Sequence, residues 1–289
     1  MTDFAARNRR NNKIALTALW CAALFVFGLL FIFLGYLLYQ GLPVLTPAFI
    51  TGASRDSKAG GGVGAQFFNT LYIIALSVAV SFPLAAGTAI YLSEYAKNNL
   101  LTKTVRICIE SLASVPSIVL GLFGMIIFVN YFKLGFSIIG GALSLSLLNL
   151  PLLTRVTEEA LRASPQTYRE ASLALGATKW QTIWKVTLPS SLPGVMTGLT
   201  LTCGRAAGES AILIFTAGTT VSRYMADFDL SASGETLAVH IWYVMSAGLA
   251  PDRAAIAGGS AALLIITVLL LNAVFYLLLK FIKRRAGLC

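Results

Sequence analysis

The chain has 289 residues, 57% of them hydrophobic and only 12% charged, with a single histidine and a formal net charge of +10. That balance excludes an ordinary soluble domain and leaves room for about six membrane spans of ~20 residues each. It also argues against nucleic-acid binding, because the basic residues sit in short segments beside apolar runs and form no patch.

Arg7, Arg9, Arg10 and Lys13 precede an uncharged run over residues 14–38. The run is too long for a signal peptide and no small-residue cleavage site follows, so it is expected to remain as span one. Residues 40–66 are polar and glycine-rich and read as an exposed loop. Gly60 to Gly64 reads as linker, since no Lys-Ser/Thr pair follows to make a phosphate cradle. Span two is expected over 67–92 with a kink at Pro83, and span three over 107–131 with a break at Pro116. In span three, Gly121 and Gly124 are placed for close helix packing. Glu110 near its start is expected to snorkel or to pair with Arg106. Span four is expected over 134–153, after a tight turn at Lys133.

The segment 154–189 is polar, and span five follows over 192–217. Residues 237–249 are apolar but too short to span and read as an interfacial helix. His240 within it is expected to be packed or solvated rather than a pH switch. Span six covers 254–279, and Lys280, Lys283, Arg284 and Arg285 follow it. The fold class is therefore all-α integral membrane, with six transmembrane helices. With the N-terminus inside, sixteen basic residues fall in cytoplasmic segments against five outside, among them Arg223 and Arg253. Both termini and the 154–189 loop are thus expected in the cytoplasm. Cys21, Cys108, Cys203 and Cys289 show neither metal-ligand nor disulfide spacing.

The 154–189 loop predicts two short helices meeting at a glycine. Ser164 can cap the first, with Pro165 in its opening turn. Gly176 can take the left-handed conformation that closes it, and Thr178 can cap the second. Leu188-Pro189 is expected to stop the second helix. Trp180 and Trp184 share one face of it, for packing on the chain's own spans or for docking a partner.

Arg205 lies near the middle of span five, where an unpaired arginine costs ~2.5–3.5 kcal/mol on insertion scales. Glu209 is four residues on, hence expected on the same helix face, ~6 Å farther along. The two form either a self-contained ion pair or a polar face lining a pathway, with Arg205 open to an anion. Nothing supports an enzyme: the chain has no Walker A sequence, no H-E-x-x-H and no G-x-S-x-G.

In Glu170 to Pro189, the pattern E-A-S, three residues, G, nine residues, V-x-L-P resembles the EAA loop by which ABC-importer permeases dock on their ATPase. Ser172 stands for the second Ala and Val186 for Ile. NTLYIIALSVAVSFPLAAGTAIYLSEYA from Asn69, SLASVPSIVLGLFG from Ser111 and GRAAGESAILIFTAG from Gly204 are similar to segments of phosphate ABC-transporter permeases. The last favours the PstA type over the PstC type, with Ser210 and Ile212 departing from its Thr and Pro. The resemblance implies a MetI-like permease core over 67–289, preceded at 1–66 by a tail, span one and an external loop. It implies Arg205 and Glu209 in the pathway, and coupling through Glu170, Ala171, Gly176, Trp180, Trp184, Leu188 and Pro189.

The implied partners are a PstC-like second permease, a dimeric PstB-like ATPase and a PstS-like phosphate-binding protein, at a bacterial inner membrane. No metal site or cofactor is expected on this chain; ATP and Mg²⁺ would belong to the ATPase. A permease for another oxyanion or small solute, or a membrane enzyme or sensor, stays open as an alternative.

Overall fold

A computed structural model describes residues 2–55, 58–97, 99–220 and 225–285. Arg223 and Cys289 lie outside the described residues. The first helix, α1 (Thr2–Gly41), is exposed along most of its length and is joined to the rest at its C-terminal end. There Gly41 lies against Gly258 and Ala262, where a Cβ would collide with backbone. Residues 40–66 do not form the expected exposed loop. Pro47–Thr51 forms α2, opened by Thr46 accepting from Phe49 N at 3.2 Å, and Phe49 and Val63 enter the core. Apolar side chains in a polar-looking segment were enough to fold it back onto the bundle.

Next come α3 (Gly64–Ile90), which runs through Pro83, and a π-turn over Tyr91–Tyr95. The expected third span is not one helix. α4 (Leu100–Ser114) and α5 (Ser117–Gly124, continued by a π-turn to Tyr131) meet at Pro116 with a bend of 97°. Proline lacks an N–H and disfavours helix in the residue before it, so the chain turns there. Glu110 pairs with Arg155 at 3.0 Å, and Arg106 with Glu158 at 2.7 Å, so these two do not pair with each other. α6 (Ile138–Ala163) follows, longer than the expected fourth span because a charged last third continues the helix.

α3 and α6 form the centre of the bundle. Between them, Asn149 Nδ2 of α6 donates to Ser77 Oγ of α3 at 3.5 Å, both side chains being buried, while Ser144 of α6 lies against Gly124 of α5. Ser144 returns its hydroxyl to Gly140 O at 2.8 Å, which satisfies it locally. Around this pair lies a core of Ile73, Leu145, Leu148, Leu213 and Val239.

The chain then forms α7 (Gln166–Ala174), α8 (Lys179–Thr182) with a π-turn over Ile183–Thr187, and α9 (Leu188–Ala207). α10 (Ala211–Thr216), α11 (Leu237–Ser246) and α12 (Arg253–Arg285) complete it. Gly121 and Gly124 do serve close packing, against α10: a Cβ at Gly121 would lie 3.0 Å from Ala211 O. Between α10 and α11, Ser231 donates its hydroxyl and N–H to Asp229, which holds that carboxyl below the usual carboxylate range.

α11, too short to span, is packed into the bundle. Its Leu237, Ala238, Val239, His240 and Val244 are buried against α3 and α12. Among the described residues, four helices are long and apolar enough to cross a membrane, five when the bent pair is one span. α9 is a sixth long helix, ~30 Å by its 20 residues.

Candidate functional site

The helix pair α7–α8 is built as its local sequence requires. Leu175 and Gly176 close α7, with Gly176 at φ +81° and its N–H on Leu173 O at 3.0 Å. No atom lies within 4 Å of a Cβ placed there, so the glycine is needed for its backbone angle and not for space. Thr178 Oγ1 accepts from Gln181 N at 3.3 Å while Gln181 Oε1 accepts from Thr178 N at 2.9 Å, a reciprocal capping box. Ser172 Oγ and Thr182 Oγ1, 2.9 Å apart, then tie the two helices together. An alanine at 172 could not make that bond.

Two local expectations fail. Ser164 does not cap α7; its hydroxyl meets Ser190 Oγ at 2.7 Å and joins the end of α6 to the start of α9. Leu188-Pro189 does not stop the second helix, because the chain passes through the π-turn straight into α9. Pro189 falls in the first turn of α9, where a missing N–H is tolerated, and the wider π-turn before it relieves the ring.

The outward face of the pair is apolar. Trp180 and Trp184 pack edge to face at 5.5 Å and stay 57% and 48% exposed. Tyr168, Leu173 and Leu175 extend the same exposed character, and Leu175 is 90% open. Glu170 and Ala171 are exposed as well, and Glu170 makes no hydrogen bond or ion pair with the described residues. The inward face is polar. Arg169 reaches Glu94 Oε1 at 2.8 Å and Leu161 O at 2.7 Å, and no spacing in the chain links Arg169 to Glu94, 75 positions earlier.

The second candidate region is the far part of α9. The helix packs on α6 through Gly194 and Gly198; a Cβ at Gly198 would lie 2.9 Å from Val156 Cγ1. It ends at Ala207, before Glu209. Arg205 and Glu209 therefore do not share a helix face, and no ion pair joins them. Gly208 breaks the helix, and half-buried Glu209 turns its Oε1 to accept from Ile212 N at 3.4 Å in the first turn of α10. Arg205 is left exposed on the surface of α9, with no hydrogen-bonding or ionic partner among the described residues. An unpaired guanidinium on a long apolar helix needs water, an anion or another chain at that face.

At the end of α3 away from α7 and α8 lies a polar cluster that no local sequence pattern marks. Gln66 Nε2 donates to Glu235 Oε2 at 2.9 Å, and His240 Nδ1 lies 3.0 Å from the same oxygen. Asn69 Nδ2 donates to Glu235 O at 3.2 Å, and Leu237 N to Thr70 Oγ1 at 2.9 Å. His240 is thus a packed histidine, 2% exposed.

Residues 81–287 match the family of binding-protein-dependent transport system inner membrane components. The chain is 44% identical to a probable ABC transporter permease protein, YqgI, of Bacillus subtilis (strain 168), over 87% of its own length and 89% of that protein's. It is 32% identical to the phosphate transport system permease protein PstA of Pasteurella multocida (strain Pm70), over 94% of this chain and 95% of that one. Among solved structures, a chain of the inward-facing MetNI methionine ABC transporter superposes with a TM-score of 0.61 at 22% identity, covering 74% of this chain and 93% of that one.

Proposed function

Because the chain belongs to the family of binding-protein-dependent transport system inner membrane components, we propose that it forms half of an ATP-driven import pathway for inorganic phosphate. The observation that carries this reading is Arg205, an unpartnered cation on the surface of a long helix just before a break in that helix. A second, PstC-like permease facing α9 would enclose Arg205 in a shared aqueous path, where its guanidinium grips an oxyanion through two N–H bonds. Support for phosphate comes from the PstA relatives, of which that of Pasteurella multocida aligns over 94% of the chain.

Energy enters through α7 and α8. Their exposed aromatic and leucine side chains fit the groove of a PstB-like ATPase below the membrane, where ATP and Mg²⁺ are bound and hydrolysed. A PstS-like binding protein delivers phosphate from outside. The excess of basic residues in the N-terminal tail, the 154–189 loop and the C-terminus supports a cytoplasmic position for all three.

A second reading keeps the architecture and changes the solute, since the Bacillus relative is named without one. Uptake of radiolabelled phosphate, with sulfate and other oxyanions as competitors, separates the two in cells that carry the chain with its co-purifying subunits. ATP-dependent phosphate uptake above the empty-vector level is expected. Uptake of another solute alone would overturn the phosphate reading.

A further inference from the structure

The covalent neighbours of the α7–α8 pair are α6 and α9, yet its strongest polar contact is with neither of their membrane-embedded parts. Arg169 binds Glu94, which lies in the π-turn that ends α3, 75 positions earlier in the chain. The pair is largely shielded, with the Arg169 and Glu94 side chains 22% and 9% exposed. The Arg155 pairs with Glu110 and Glu159 are all more than half exposed, and screening by water leaves such pairs weak. Arg169 Nη2 is shared between Glu94 Oε1 and Leu161 O, so one guanidinium holds the ends of α3 and α6 together. Nη1 of the same guanidinium donates to Ser164 O at 3.5 Å, and a single lysine nitrogen could not meet all three acceptors.

A second contact reaches the same turn from the other short helix. Lys179 Nζ in α8 lies 4.7 Å from the ring centroid of Tyr95, in cation–π range. Both members of the pair therefore grip the end of α3, one by a charge-assisted hydrogen bond and one over an aromatic face. α3 then runs ~40 Å, 27 residues, to its other end. There Gln66 and Asn69 are hydrogen-bonded to Glu235, and Thr70 to Leu237. A continuous helix held at both ends passes displacement along its axis better than a flexible connection does.

We propose that Arg169 and Glu94 are positioning residues for coupling: they latch α7 to α3, so that movement of the helix pair on its ATPase displaces α3 directly. This rests on the docking role read above for α7 and α8. Without the latch, the pair reaches α3 only through the exposed contact of Lys179 with the Tyr95 ring. Coupling of this kind needs a demonstrated response at both ends of the connection, not mere spatial adjacency.

Hydrogen exchange on the purified complex, with its second permease and ATPase, reads that response with and without a non-hydrolysable ATP analogue. In the unaltered complex, nucleotide is expected to change protection both at 166–174 and at 86–96. Arg169→Gln and Glu94→Ala should keep the change at 166–174 and lose most of it at 86–96. The double variant should be no worse than either single one, since both remove the same bond. Arg169→Lys should restore part of the response. A response at 86–96 that persists undiminished in both Arg169→Gln and Glu94→Ala would overturn the latch, as would no response there in the unaltered complex. Phosphate uptake by the same unaltered complex tests the substrate separately, and failure there leaves the exchange result standing.

Discussion

Gln66 and Glu235, 169 positions apart, meet in a hydrogen bond of 2.9 Å at a place where both side chains are fully buried. The bond joins the first turn of α3 to the residue just before the cap of α11. His240 Nδ1 shares the same carboxylate oxygen, and Gln66 Oε1, Glu235 Oε1 and His240 Nε2 have no hydrogen-bond partner among the described residues. Each lost contact in such a cluster leaves a buried polar group unsatisfied. His240→Ala is therefore expected to destabilise the folded subunit by ~1–3 kcal/mol, the cost of a buried polar group that loses its partner. Thermal unfolding in mild detergent checks this, and an unchanged midpoint would count against a structural role for the cluster.

Orientation is tested by labelling. Cysteines at Ala59 and Ser231 should react with an impermeant reagent applied to intact cells, and one at Gln166 should not. Ser231 is exposed, whereas Gly234 in the same segment is buried and a Cβ there would lie 2.6 Å from Ile138 Cγ1. Labelling at 166 from outside would reverse the topology.

Gly176→Val places a β-branched side chain at φ +81°. The strain is ~1–2 kcal/mol, enough to disturb the closing turn of α7 without preventing membrane insertion. ATP-driven uptake should fall while the amount of subunit in the membrane holds. Normal uptake in this variant would remove the turn from the coupling mechanism.

Arg205 and Glu209 should behave as independent residues, because the helix ends between them. Arg205→Ala should lower uptake by roughly tenfold or more, the effect of losing a charged hydrogen bond to the passing anion. Glu209→Gln should cost less, since its neutral amide oxygen can still accept from Ile212 N-H. The double variant should show the product of the two single losses, as independent sites do. Recovery of uptake in the double variant would show instead that the two charges serve only each other. Arg205→Lys should be partly active, because an ammonium lacks the planar fork.

Much of this protein could be read from local sequence. Gly176, Thr178 and Gln181 specify the turn and cap of the helix pair through contacts spanning a few residues. The apolar runs specify long helices because unpaired backbone in lipid is too costly to tolerate. The break at Pro116 was legible for the same local reason, although its 97° bend was not.

What only the tertiary structure decided were the partners of the polar side chains. Spacing alone placed Glu209 on the face of Arg205, but Gly208 ends the helix between them and Glu209 turns to α10. Glu94 with Arg169, and Gln66 with Glu235, carry no periodicity that links them in the chain. A buried polar group takes whatever complementary group the packing of helices brings near it. That is set by how α3, α6 and α11 come together in space, so no local pattern records it.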